Sequence, residues 1–349
     1  MNKKIGVIPA ILLSMLLGAC GSADSVKPPA AESGKLTHED QPYVGFVLDT
    51  LKDERWYKDK ELFEKAAAEH GARVKTLAAN GNDDVQLKQA QLLIDEGVDV
   101  LVVVPHDAAF SAEIVEMAHK ADVQVISYDR LITNAPVDYY VSFDNVKVGE
   151  LQAAEIVKRA PAGSYAYIGG AESDNNAVLF REGAMKVLKP LVDKGTIKLV
   201  YDQYTDGWDP KRAEANMKDA LAKNQNKISA VIAANDGTAG GAVNALSAAG
   251  LAGKVPVSGQ DAELEGLRRL VAGTQAMTVY KPIPLLAEQA ADMAAKVAAG
   301  EKINTEQSVN NGAADVPAVL LAPVAVTKDT IRSTVIKDGY VTEAEVYGK

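Results

Sequence analysis

The chain has 349 residues, 47% hydrophobic and 24% charged, with a formal net charge of -10 and one cysteine. That composition suffices for two ordinary domain cores. The acidic balance, with no basic stripe and no Lys/Arg run interleaved with aromatics, excludes nucleic acid as an expected partner, and a lone cysteine excludes an internal disulfide.

Residues 1–19 read as a signal segment. "MNKK" is a positive start and "IGVIPAILLSMLLGA" an apolar run of 15 residues, short for a membrane span. Leu17-Gly18-Ala19-Cys20 resembles the lipobox of bacterial lipoproteins, so Cys20 is the expected lipidation site and a lipid anchor the expected membrane contact. Residues 20–41, rich in Ser, Pro, Ala and charge without periodicity, read as a flexible tether. The folded part is then expected outside the cytoplasmic membrane.

From Tyr43 onward, β-branched runs alternate with helical stretches. "YVGFVLD", "RVKTLAAN", "VDVLVVVPHD", "VQVISYDR" and "YYVSFDN" are strand candidates separated by helices such as "YKDKELFEKAAAEHG". This rhythm predicts βαβ units and a parallel sheet, and the unbroken apolar run Val100 to Val104 suits a strand covered on both faces. A break falls near Asn145 to Gly149, and the rhythm restarts with "GSYAYIGG", "IKLVYDQY", "ISAVIAAND", "KVPVSGQD" and "QAMTVYK". The expected fold class is α/β, with two similar lobes. The expected division gives residues 42–148 plus 283–305 to the first lobe and 149–282 plus 306–349 to the second. The C-terminal "NNGAADVPAVLLAPVAVTKD" carries strand and Pro signals, so the chain is expected to cross between lobes more than once.

Open parallel sheets bind ligands beyond the carboxyl ends of their strands. In this chain those ends carry Asp49 with Arg55 and Trp56, His106-Asp107, Asp129-Arg130, Asp144-Asn145, Asp174 to Asn176, Asp206 to Trp208, Asn235-Asp236, Gln260-Asp261 and Lys281. Asx residues there also serve as helix caps; Asp209-Pro210 reads as a cap with a first-turn proline, and "NGNDD" as a turn with a cap. Arg55, Arg130 and Lys281 are placed at or just before predicted helix starts, where the macrodipole favours negative charge by ~0.3 to 1 kcal/mol. Local stability therefore does not explain them. Against Asp129, Asp174 and Asp261 they give charge balance, whereas a phosphate or carboxylate site carries excess cations. Balance points to an uncharged ligand with many hydroxyls, and Trp56 and Trp208, the only two tryptophans, offer aromatic plates for the apolar faces of a pyranose.

Enzymatic readings find no support. No G-x-G-x-x-G follows the first strand, no P-loop or G-x-S-x-G is present, and the glycines of "DGTAGGAVNAL" read as helix-packing positions. The four histidines give no metal-ligand spacing, so neither metal nor cofactor is expected.

The motifs "DERWYKD", "GVDVLVVVPHD", "YDRLI", "SFDNVKVGELQA", "DNNAVLFREGAMKVLKP", "DGWDP", "NDGTAGGAVNAL", "SGQDAELEGLRR" and "GTQAMTVYKP" form an ordered series. Through it the chain resembles the periplasmic sugar-binding proteins of ABC transporters. The resemblance implies a type I binding protein: two Rossmann-like lobes joined by three crossover segments, with one monosaccharide, D-xylose, enclosed between them. It implies sugar contacts at Arg55, Asp129, Arg130, Asp174, Asn176, Asn235, Asp261 and Lys281, with Trp56 and Trp208 as stacking aromatics; His106 departs from an aromatic at that strand end. It further implies a monomer that delivers its sugar to an ABC permease, or alternatively a module presenting sugar to a membrane receptor.

Overall fold

The computed structural model describes residues 41–348; the expected signal segment, Cys20 and most of the tether lie outside the described residues. In chain order, β1 (Tyr43–Leu48), α1 (Glu54–Glu69), β2 (Arg73–Ala78), α2 (Asp83–Asp95), β3 (Val100–Val103), α3 (Ala112–Lys120), β4 (Gln124–Tyr128) and β5 (Tyr139–Phe143) begin the first lobe. The second lobe follows with α4 (Asn145–Arg159), β6 (Gly163–Ile168), α5 (Asn175–Asp193), β7 (Ile197–Gln203), α6 (Pro210–Lys223), β8 (Ala230–Ala233), α7 (Asp236–Ala248), α8 (Leu264–Ala272) and β9 (Thr278–Tyr280). Then come α9 (Ile283–Ala298), β10 (Gln307–Asn310), β11 (Asp315–Leu321), β12 (Val324–Val326) and α10 (Glu343–Tyr347).

The first sheet has seven strands in the order β10-β11-β5-β4-β3-β1-β2, parallel except for the β10–β11 hairpin. Its central strands are buried on both faces, as their unbroken apolar runs predict. Side chains alternate between two cores: Val44, Phe46 and Leu48 of β1 pack towards α1 and α9 with Phe63, Tyr128 and Met293. Tyr43 and Val47 pack on the other face with Leu93, Leu101 and Ile114. Burying one such side chain contributes about 1.5–3 kcal/mol.

The second lobe is built on the parallel sheet β7-β6-β8. Here the expected strand "KVPVSGQD" is corrected: it makes a single bridge, Val257 to Val231. Pro256 has no N–H to donate, and Ser258 Oγ takes up the Ala233 N–H and C=O. Backbone bonds still run from this segment to β8 and β9, and β9 pairs with β12. Gly241 of α7 is a packing glycine: an added Cβ would lie 2.2 Å from the Pro210 carbonyl oxygen.

The chain passes between the sheets after β5, after β9 and after β11. The expected lobe boundaries need one correction. Residues 307–321 do not belong to the second lobe, because β11 pairs in parallel with β5 and carries β10 with it. Strand signals alone do not say which sheet edge a strand joins.

Candidate functional site

The carboxyl ends of both sheets face one cleft. It encloses about 370 Å³ of atom-free space, part of it continuous with solvent, and its wall includes Arg55, Trp56, Asp129, Arg130, Asp174, Asn176, Trp208, Asn235, Asp261 and Lys281. All ten residues singled out in the sequence are therefore brought together. Asp53, Phe180, Gln260 and Glu263 complete the wall.

Arg55 is the second residue of α1 and is 4% exposed. Asp59, one turn on and fully buried, offsets its unfavourable place at the helix start: Nε and Nη2 donate to the two Asp59 oxygens at 3.1 and 3.2 Å. Nη2 also donates to Asp129 at 3.0 Å, and Nη1 reaches Asp261 of the other lobe at 3.4 Å. Burial works against this cation, but Asp129, Asp59 and Asp261 hold its pKa well above the ordinary value.

Arg130 does not sit at a helix start, contrary to expectation. It follows β4 in the irregular stretch leading to β5, directly after Asp129, whose φ of 58° is left-handed. That backbone turns consecutive side chains into the cleft, and Asp is among the few non-glycine residues that adopt such a conformation. The Asp129 carbonyl is fixed by Tyr140 Oη at 3.0 Å and Asn176 Nδ2 at 3.1 Å. Arg130 Nη1 donates to Asp49 at 2.7 Å, and Nε lies 2.8 Å from Asp174 of the second lobe. Lys281, just after β9, places Nζ 3.3 Å from Asp261 and 3.6 Å from Asp129.

On the second lobe, Asp174 and Asn235 are caps as well as cleft residues. Asp174 Oδ1 accepts the Asn176 N–H at 2.9 Å at the start of α5, while Oδ2 faces Arg130 and accepts Trp208 Nε1–H at 3.2 Å. Asn235 forms a capping box with Thr238. Asn176 accepts from Asn145 at 2.8 Å and donates to Asp129 Oδ1 at 3.1 Å.

The indoles are held by different means. Trp56 is 2% exposed, with the Arg55 and Arg130 guanidinium carbons 4.3 and 5.2 Å from its ring centroid, a stabilising cation–π arrangement. Trp208 has φ of 55° in a turn after Gly207, and lies against Gly170, where an added Cβ would sit 2.0 Å from the ring.

The charge count from sequence needs revision. The three cations pair with five carboxylates, because Asp49 and Asp59 join Asp129, Asp174 and Asp261. Burial opposes charge on Asp129, yet Arg55, Lys281 and Arg130 hold its pKa below the usual aspartate value; at Asp59 and Asp174 burial wins and raises it. The absence of a cation excess is thus more pronounced than expected. Asp59 was detectable as the i+4 partner of Arg55; Gln260 had its strand-end position as a signal, and Glu263 had none. His106 lies outside the cleft wall: its Nδ1 is 2.8 Å from Asp49, in an adjoining cavity shared with Arg130 and Trp208. Among the described residues, no cluster of His, Cys, Asp or Glu suits a metal ion.

A family model described as "Periplasmic binding protein domain" matches residues 44–302. The D-xylose-binding periplasmic protein of Escherichia coli is 50% identical over 309 residues, spanning 88% of this chain and 94% of that protein. The multiple sugar-binding periplasmic receptor ChvE of Rhizobium radiobacter is 34% identical, over 86% of this chain and 91% of that one. Among solved structures, a carbohydrate transporter solute-binding protein from Chloroflexus aurantiacus, in complex with D-glucose, has a TM-score of 0.81 at 34% identity, covering 87% of this chain and 98% of that chain. The family is one of solute-binding proteins rather than enzymes, and this chain, with its two α/β lobes and a polar cleft at their strand ends, belongs to the periplasmic binding protein domain family.

Proposed function

We propose that the protein captures one monosaccharide, D-xylose in particular, outside the cytoplasmic membrane and delivers it to an ABC transporter permease as a monomer held by a lipid on Cys20. The observation that carries this reading is the ion-pair network that joins the lobes through the cleft: Arg130 to Asp49 and Asp174, Arg55 to Asp129 and Asp261, Lys281 to Asp129 and Asp261. Each hydroxyl of an aldose donates one hydrogen bond and accepts others, so it fits between a carboxylate and a cation without leaving either unpaired. In this reading Arg55, Asp129, Arg130, Asp174, Asn176, Asn235, Asp261 and Lys281 bond the hydroxyls, and Trp56 and Trp208 cover the ring.

The relative from Escherichia coli supports xylose, and the Chloroflexus structure supports an aldose of this general size. Because contacts come from both lobes, a bound sugar prefers the closed arrangement and shifts the hinge equilibrium by that preference. Micromolar capture requires about -8 kcal/mol net. A second reading, a module presenting sugar to a membrane receptor, draws on the Rhizobium relative, whose name calls it a receptor; capture of the permease or of a receptor from membranes separates the two.

Calorimetry of the purified protein against an aldose panel tests the proposal. D-xylose is expected to bind tightest, and the proposal fails if no aldose in the panel binds. For the anchor, mass spectrometry of membrane-extracted protein is expected to find acyl chains on Cys20, and a Cys20→Ser protein found in the soluble fraction would support the same assignment.

A further inference from the structure

Gln260, Glu263 and Asp53 stand in the cleft wall beside the paired charges, yet their side chains differ from those of every paired residue. Gln260 is 2% exposed; its Nε2 donates to the Ala234 carbonyl at 3.3 Å, while its Oε1 is buried with no hydrogen-bond partner. An unmet buried acceptor is destabilising, and one in the cleft wall can be met by a hydroxyl donor of a bound ligand. Asp53 occupies the N-cap position of α1, where its carboxylate should accept a backbone N–H, but its side chain makes no cap bond. Glu263, just before α8, uses its backbone N–H on Asp236, and its side chain makes no cap bond at α8.

We propose that Gln260 and Glu263 of the second lobe, with Asp53 of the first, form a further hydrogen-bonding wall of the sugar site that determines which aldose is retained. The inference rests on the sugar-binding reading above and adds residues to it. The paired acids and cations can hold hydroxyls common to all aldoses, while these three acceptors select for a hydroxyl donor presented to them.

Glu263 adds a pH signature. Burial, together with the acidic groups that face it, Asp236, Asp261, Asp53 and Glu54, raises its pKa to about 9 from an ordinary 4.5; Arg55, Arg130 and Lys281 are the cations in the same wall. In an opened, solvated cleft the group titrates near its ordinary value. Between the two values closure takes up a proton, so affinity declines as pH rises and the decline is complete above about pH 9. A neutral carboxyl can also donate to a sugar oxygen.

The test is calorimetry with D-xylose, D-glucose and L-arabinose on the wild-type protein, Gln260→Leu, Glu263→Leu and Glu263→Gln, from neutral pH to about pH 9, with thermal melting as a folding control. The two leucine variants are expected to lose about tenfold in affinity, unequally among the sugars. Glu263→Gln, which keeps size and hydrogen-bonding capacity, is expected to bind near wild type at neutral pH and to lose the alkaline decline. The inference is overturned if folded variants stay within twofold of wild type for every sugar and keep the wild-type pH response. Should the leucine variants not fold, the pH response of Glu263→Gln alone decides. Wild-type protein that binds no aldose would instead overturn the reading on which this rests.

Discussion

Asp174 and Asn235, on the second lobe, each give part of their side chain to the first turn of a helix and present the rest to the cleft. Arg55, Asp129 and Arg130, on the first lobe, serve no local element in this way: a cation at a helix start, a non-glycine residue at positive φ, and a cation in an irregular loop. The second wall is thus held by helix caps, while the first is held by ion pairs, within its own lobe at Arg55–Asp59, Arg55–Asp129 and Arg130–Asp49 and across the cleft at Arg55–Asp261 and Arg130–Asp174. Substitutions in the first should therefore act on affinity and stability through unpaired buried charge, and those in the second through loss of a helix cap.

The largest effect is expected at Arg130. Arg130→Ala takes the guanidinium away from buried Asp49 and Asp174, and D-xylose affinity by calorimetry should fall by ~2–5 kcal/mol. A loss below twofold would remove the first wall from the site. Next is Gly170→Ala, whose methyl would press into the Trp208 ring; the overpacking should cost about 1–3 kcal/mol of stability, and displacement of the indole should lower D-xylose affinity with the fold intact by circular dichroism. Asn235→Ala removes a capping box and should cost about 1 kcal/mol in urea unfolding, an effect that Arg130→Ala should not reproduce by the same route.

The smallest effect concerns His106. Its hydrogen bond to Asp49 raises its pKa against the burial that would lower it. A raised pKa means that the pairing stabilises the fold fully below the ordinary histidine value and is lost as pH rises through the raised one. The ring is partly exposed, so the contribution is below about 1 kcal/mol. Urea unfolding on either side of neutrality should show it, and His106→Gln should abolish it.

The two walls were not equally legible in the sequence. β1 to β5 follow from period and β-branched content because they pair with strands close to them in the chain, in the sheet order β5-β4-β3-β1-β2. The pairing of β11 with β5 is a long-range choice that no local pattern encodes, and the loss of regular strand at 254–261 follows from Pro256 and the Ser258 side chain acting together. Arg55 and Trp56 stood out because they contradict helix-start chemistry. Asp174 and Asn235 were ambiguous because a cap explains them alone, and the structure shows that each does both jobs. Asp59 was hidden inside an amphipathic helix, although its spacing from Arg55 was readable. Gln260 was readable as a strand-end residue, but its unmet acceptor, like the place of Glu263 in the wall, is a property of three-dimensional surroundings.

Tryptophan fluorescence tests the convergence of both walls on one sugar most directly, because Trp56 and Trp208 are the only tryptophans in the chain and come from opposite lobes. Titration with D-xylose should change the emission in a saturable way at the affinity found by calorimetry, with Trp56→Phe and Trp208→Phe each removing part of the change. Emission that stays constant through calorimetric saturation would contradict the account.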